Sequence, residues 1–412
     1  MKTGNSLIVL VSVVASAVAA EADWPYWRGP TRDGRVAGFR APAAWPATLQ
    51  REWRTVVGLG DATPALADGR LVAFGREGEK EVISCLKPED GRVLWRHEYP
   101  AVAVTGPAEK YPGPRSSPAV AHGRVITLGV GGVLAAVEVA SGREVWRHEA
   151  LTKGVTRFFT SVSPLIVDDC AIVHLGGKDA GVLFAVEIAT GQVRWQWAGE
   201  GPAYASPAVG TLGGVRQVIL QTESTLTGIA VADGRRLWQV PTAPRSGYWN
   251  SATPVVDGSV VYYSGQGTGT RAVQIERGGD GLQAREIWHN PDVGTVYNTP
   301  VLRDGFLFGL SPRGQFFCLE AATGATRWLV NERVSNFGAI VDAGAVLVAL
   351  PEKTGLVFFR PTAEKFDEVA RHRVSDTPVY AHPVIAGDAI FIRDRDSVAR
   401  WRLSAGEAGE RK

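Results

Sequence analysis

Eight times along the chain a short phrase ends in Ser, Thr or His followed by Pro, or in a close variant of it, and three positions before the Pro stands a polar residue. In order these residues are Asp61, Arg115, Ser161, Tyr204, Ser251, Tyr297, Asn336 and Tyr380. Every one can donate or accept a hydrogen bond. The next position is mostly small or apolar (Ala62, Ser116, Val162, Ala205, Ala252, Asn298, Phe337 and Ala381), an alternation that puts the polar set on one side of an extended backbone. Three of the phrases carry aromatic and polar groups close together: "KYPGPRSSP" holds Tyr111 and Arg115, "RSGYWNSATP" holds Tyr248, Trp249 and Asn250, and "GTVYNTP" holds Tyr297 and Asn298. Converging aromatic and polar side chains in a concavity suit a flat, polar ligand. A water-filled mouth lined with polar side chains would give the same pattern.

Other chemistries lack their residues. The seven His and three Cys show no HxxxH or CxxC spacing, so no metal centre is expected. Neither a GxSxG elbow nor a phosphate-binding loop occurs, and Asp376 and His382 in "VSDTPVYAHP" fit no triad order. Cys85 and Cys318 share a repeat position in non-adjacent repeats while Cys170 lies in another strand, so three buried free thiols are expected. Acids and bases are interspersed around a formal charge of +2, a balance that excludes the basic stripe of a nucleic-acid binder.

The elements that must position the polar set also repeat. Each phrase opens a run of short alternating segments, as in "SPAVAHG", "RVITLGV", "VLAAVEV" and "REVWRHE", rich in β-branched and aromatic residues and closed by Gly, Asp or Ser. Downstream comes a turn with Gly four residues before a Trp: "EDGRVLW" to Trp95, "ASGREVW" to Trp146, "ATGQVRW" to Trp195, "ADGRRLW" to Trp238 and "ATGATRW" to Trp328. A sixth copy, ending at Trp288, carries an insertion, and in a seventh, "TAEKFDEVARH", Ala370 replaces the Trp. The period of about 46 residues belongs to propellers. Four strands per copy and eight copies predict an all-β, eight-bladed β-propeller, with the Gly allowing the turn before the outer strand and the Trp pressed between blades. The last copy has only three strands. "LQREWRTVV", with Trp53 at the motif position, supplies the fourth from the N-terminal side, which closes the ring and removes an open edge.

The domain reading follows: a secretory signal over residues 1–20, an irregular segment over 21–49 held on the propeller by Trp24, Trp27 and Trp45, the propeller over 50–404, and a polar tail over 405–412. The expected location is periplasmic or secreted in a bacterium. Neither a lipid anchor nor a membrane span is expected, and the chain is expected to be a monomer.

The Gly-to-Trp turn, the eight copies and the secretory signal together resemble the pyrroloquinoline quinone (PQQ)-like propeller repeat, whose members include quinoprotein alcohol dehydrogenases and the propeller lipoprotein of the outer-membrane β-barrel assembly machinery. "DWPYWRGPTRDG" and "YAHPVIAGDAIFIRDRDSV" resemble the secreted PQQ-binding-like propellers of environmental bacteria, and the likeness runs over roughly residues 24 to 403. The WD and kelch signatures are absent or out of register. The resemblance to the dehydrogenases implies a PQQ and Ca²⁺ site at the mouth, with Arg115, Tyr204, Trp249, Asn250, Tyr297 and Asn298 around the cofactor. This chain departs from those enzymes in having no adjacent Cys pair, no Trp-Asp pairing for the base and no CxxCH. The sequence therefore points to an exported binding or scaffold propeller whose mouth takes a small polar ligand, a glycan or a protein. A PQQ- and Ca²⁺-dependent oxidoreductase of alcohols or sugars, and an envelope assembly factor, stand as the alternatives.

Overall fold

The computed structural model describes residues 23–149, 151–178, 180–242, 250–353 and 355–403. The signal peptide and the polar tail of the sequence reading lie outside these, as do Tyr248 and Trp249.

Every repeat folds into one four-stranded antiparallel sheet, and there are eight sheets. In the first, strands Ala65–Ala67, Arg70–Glu77, Lys80–Leu86 and Val93–Pro100 lie side by side in chain order from the channel outward. The two inner strands join through two-residue turns such as Asp304 and Gly305, with φ of 49° and 81°, the left-handed pair that matches strand twist. Closure is as the sequence predicts: Gln50–Val56 pairs antiparallel with Ser397–Arg402, Gln50 opposite Arg402 and Val56 opposite Ser397. The core lies between blades rather than within them. Val72, Phe74 and Ile83 of the first blade meet Val125, Ala135 and Val137 of the second in one buried cluster, and further clusters of this kind follow around the ring. A lone sheet cannot bury both its faces, so each blade depends on its neighbours.

The repeated Trp acts across that seam. Its indole Nε1 donates to a carbonyl in the next blade's outer turn: Trp95 to Val139 (3.0 Å), Trp146 to Ile188 (2.9 Å), Trp195 to Val231 (2.8 Å), Trp288 to Ala321 (2.9 Å), Trp328 to Thr362 (2.9 Å) and Trp53 to Pro88 (2.9 Å). The motif Gly has two reasons to be Gly. Its φ is positive, +73° at Gly142, and a Cβ there would stand 2.4 Å from the Trp95 ring of the preceding blade. Gly91, Gly191, Gly234 and Gly324 sit under Trp53, Trp146, Trp195 and Trp288 in the same way. A register shift at the motif residue recurs in all eight blades, Cys85 pairing Trp95 while Leu86 pairs Val93, and this bulge turns the indole toward the seam.

Trp238 differs from the others for a visible reason. The following blade carries the insertion, which forms a long hairpin of Gly269–Gly278 and Gly281–Asn290, and the usual turn is missing. The Trp238 indole instead donates to Gln217 Oε1 of its own blade and is nearly buried. Cys85, Cys170 and Cys318 are free and buried, as expected. Among the described residues no helix is long and apolar enough to cross a membrane.

Candidate functional site

The residue before each Pro has an extended backbone, because the Pro ring disfavours any other. This aims its N–H across the seam at the next blade. Thr63 N donates to Ser117 Oγ (3.1 Å), Ser117 N to Ser163 Oγ (3.0 Å), Ser163 N to Ser206 Oγ (3.0 Å) and Thr253 N to Thr299 Oγ1 (2.9 Å). His382 N donates to Thr63 Oγ1 (2.9 Å) and so carries the belt over the ring closure. These bonds hold the inner strands of the last blade and the first four at one level, and those of the fifth and sixth likewise.

Two residues earlier in each phrase, the side chains turn into the mouth. All eight polar residues that the alternation singles out line one cavity of about 610 Å³. Arg115, Tyr204 and Tyr297 are therefore brought together. Asn250 and Asn298 are not: both are buried and outside the lining. The Asn250 amide donates to the carbonyls of Thr222 and Glu223 (both 2.9 Å), and the Asn298 amide donates to and accepts from the backbone of Leu310 (2.9 and 3.2 Å). Their side chains tie loops rather than face a ligand. Phe337 breaks the alternation in the other sense, joining the lining where its counterparts are buried.

One arc of the wall is aromatic. Tyr297 and Phe337 stack at 4.2 Å and 4°, Phe337 meets Tyr380 edge-on at 5.4 Å, and Tyr380 meets Tyr111 edge-on at 5.7 Å. The Tyr380 hydroxyl donates to Glu352 Oε1 (3.0 Å), and Ser335 Oγ donates to Glu352 Oε2 (2.9 Å). Burial, with Tyr111 and Glu352 behind it, holds the Tyr380 phenol well above its ordinary range, so it remains a donor. The adjoining arc, from the first and second blades, is polar. Arg115 is locked by donating to the carbonyls of Phe158 (2.9 Å) and Tyr111 (2.7 Å), and beside it stands Asp61. Burial raises the Asp61 carboxyl, and Arg115, Arg393 and Arg395 oppose that rise. Burial likewise lowers the Arg115 guanidinium, opposed by Asp61.

The floor of the cavity is made by the N-terminal segment, which passes inside the channel. It comes from the opposite end: Val36 N donates to the carbonyl of Asp342 (2.8 Å), the last residue of a strand whose first, Gly338, lines the cavity. Trp24 exchanges backbone hydrogen bonds with Leu66 (2.7 and 3.0 Å), and Pro25 O accepts from Val120 N (2.9 Å). Arg32 donates to Ile166 O (2.6 Å), and Arg28 to the carbonyls of Thr299 (3.2 Å) and Pro300 (3.0 Å). Both arginines have left-handed backbones, φ 63° and 62°, a strained state held by these anchors. Trp27 reaches the level of the belt: its Nε1 donates to Thr253 Oγ1 (3.3 Å), its ring meets His382 edge-on at 4.4 Å, and it lines the cavity. Burial first, then the nearby Arg28 charge, push His382 down to about 3, so the ring is neutral and serves as packing beneath the floor.

The belt had a signal in the sequence, the Ser or Thr before most of the prolines. Trp27, Glu352 and Phe158 stand in no repeat register, and only the three-dimensional arrangement brings them to the mouth.

Among the described residues, which do not include Trp249, the lining does not fit PQQ with Ca²⁺. PQQ is a tricarboxylate, whereas the charged lining residues balance, Arg115 and Lys353 against Asp61 and Glu352. A planar quinone needs two opposed flat walls, yet Tyr297 and Phe337 face each other and form a single wall. The amides of Asn250 and Asn298, expected around the cofactor, are engaged with backbone, and the described residues hold no cluster of three His, Cys, Asp or Glu side chains suited to a metal ion.

Fold and site together define a closed eight-bladed propeller with a plugged channel and one open mouth. The model of a PQQ-repeat family described as outer membrane protein assembly factor BamB matches residues 32–207 and 181–330, and the chain belongs to that family. It is 28% identical over 337 residues to the outer membrane protein assembly factor BamB of Burkholderia pseudomallei, covering 76% of this chain and 77% of that protein. The BamB structure from Moraxella catarrhalis superposes with a TM-score of 0.62 at 15% identity, covering 88% of this chain and 99% of that one. The quinohemoprotein alcohol dehydrogenase of Comamonas testosteroni superposes with a TM-score of 0.68 at 12% identity, covering 94% and 82%, a likeness of fold alone.

Proposed function

We propose that this chain is an exported binding propeller whose ligand site is the mouth cavity. The observation that carries the reading is that all eight blades contribute their phrase residue to one cavity whose floor is closed by the chain's own N-terminal segment. A solvated rim needs no floor. A volume of about 610 Å³ falls in the range of small-molecule sites, roughly 300–1,000 Å³. Arg115 is held by two carbonyls before any ligand arrives, so little ordering cost remains at binding. The export signal supports a place in the cell envelope.

The test is a thermal-shift screen of the mature protein against small polar molecules, PQQ with Ca²⁺ among them, repeated on Arg115→Ala. A ligand that raises Tm in the wild type by several degrees and leaves the variant unmoved supports the reading. If no compound discriminates the two proteins, the mouth is a solvated rim.

The family supports a second reading, assistance to outer-membrane protein assembly, since the similarity spans 77% of the B. pseudomallei assembly factor. Co-purification of an outer-membrane assembly component with the tagged chain supports it; a clean preparation removes it.

A further inference from the structure

Resting on the cavity as a ligand site, we infer that its ligand is a neutral oligosaccharide, held with its ring faces on the Tyr297–Phe337 wall and its hydroxyls on Asp61 and Arg115. Three observations lead there. The first is the form of the aromatic arc. Tyr297 and Phe337 stack face to face at 4.2 Å, so their inner faces cover each other and the pair meets the cavity from one side only, with Tyr380 set edge-on to Phe337 at 82°. A stepped, single-sided surface cannot sandwich a planar ring. It matches the puckered face of a pyranose, whose axial C–H groups carry partial positive charge and lie against the electron-rich ring faces.

The second observation is charge. Two acids and two bases line the cavity, so neither sign of charge dominates its lining. A polyhydroxylated neutral molecule uses both kinds of group at once, donating to a carboxylate and accepting from a guanidinium.

The third is the state of Asp61. Glu352 already accepts from Tyr380 and Ser335, and Arg115 already donates to two carbonyls, but the Asp61 carboxylate accepts no hydrogen bond from the described residues although it lies among Arg115, Arg393 and Arg395. Its two oxygens are the unspent acceptors on the polar side, suited to the adjacent hydroxyls of a sugar. Ser161 and Ser251, from the third and fifth blades, add hydroxyls to the rest of the lining, and Asn336 stands beside Phe337. Trp27 on the floor limits depth, so the sugar lies across the mouth rather than threading the channel.

The experiment is isothermal titration of the mature protein with maltotriose, cellotriose, chitotriose and tri-N-acetylchitotriose, alongside trigalacturonate and PQQ with Ca²⁺, extended to an array of neutral glycans. The expected result is saturable binding of at least one neutral sugar, weakened tenfold or more by Asp61→Asn and by Tyr297→Ala, with trigalacturonate binding more weakly than its neutral counterparts. Tyr297 is already 37% exposed, so its loss leaves the fold intact, and an unchanged circular dichroism spectrum checks both variants. Absence of any neutral sugar ligand from the array, or sugar binding indifferent to both variants, overturns the inference. Tight PQQ binding abolished by Arg115→Ala would overturn the saccharide while leaving the cavity a ligand site. A cavity that binds nothing at all would remove both.

Discussion

At the scale of single residues, the mouth shows how one backbone register assigns three kinds of work. Counting back from each Pro, the first residue joins blades, the second packs, and the third faces the mouth cavity, and each task follows from an extended chain alternating its sides. His382 occupies the first position in the last blade and has lost the hydroxyl; its ring has become a buried, neutral support for Trp27. That buried state makes stability sensitive to acid. Burial lowers His382 to about 3 and His174 to about 4 in the fold, whereas in the unfolded chain each takes up a proton near 6.5. Their contribution is complete above about pH 6.5 and is lost as pH falls toward the folded values, at about 1.4 kcal/mol per pH unit for each ring. Urea unfolding at pH 7.5 and pH 5 should therefore show a clear loss in the wild type and a smaller one in His382→Asn; equal losses would mean that the ring is not buried neutral. The cysteines offer a second check at this scale. Burial pushes Cys85 and Cys318 up to about 12 and Cys170 to about 11, so a thiol reagent at pH 8 should label none of them until denaturant is added.

At the scale of elements, the unit that matters is a pair of neighbouring blades. The Gly of one blade and the Trp of the one before form a single contact, although about 46 residues separate successive copies of the motif. Gly142→Ala places a methyl 2.4 Å from the Trp95 ring at a φ of +73°, and should cost about 2–4 kcal/mol. In a Trp95→Ala background the clash is gone and only the backbone cost of about 1 kcal/mol should remain. Denaturant titration of the four proteins in that cycle measures the coupling; additive losses would show that the Gly serves the turn alone. The sequence displayed both residues but assigned them separate duties, because spacing along one repeat cannot reveal a partner in the next.

At the scale of the whole molecule, two N-terminal pieces hold the ring by different means. Gln50–Val56 completes the last sheet, and residues 23–36 bond or stack with seven of the eight blades from inside the channel. Two truncations separate them. A chain beginning at residue 37 keeps the closing strand and loses the plug, so it should keep the parent chain's oligomeric state in size-exclusion chromatography with a lowered Tm and a cavity open at its floor. A chain beginning at residue 57 also exposes the edge of Ser397–Arg402 and should associate or aggregate. If both behave alike, ring closure and plugging are one event. Within the plug, Trp24 is 1% exposed, and Trp24→Ala should cost about 3–5 kcal/mol in the same assay.

The sequence by itself determined the blade count, the four strands of each blade, the closing strand and the ring of eight polar side chains at the mouth. All of these depend on local alternation, turn residues and a regular period, which are written along the chain. Only the tertiary structure decided that the ring encloses a cavity with a floor, that Trp27 makes the floor, that Phe337 turns inward, and that Asn250 and Asn298 bond the backbone of loops outside the cavity lining. Those outcomes depend on contacts between residues hundreds of positions apart, such as Trp27 with Thr253 and His382, and no spacing within a repeat encodes them.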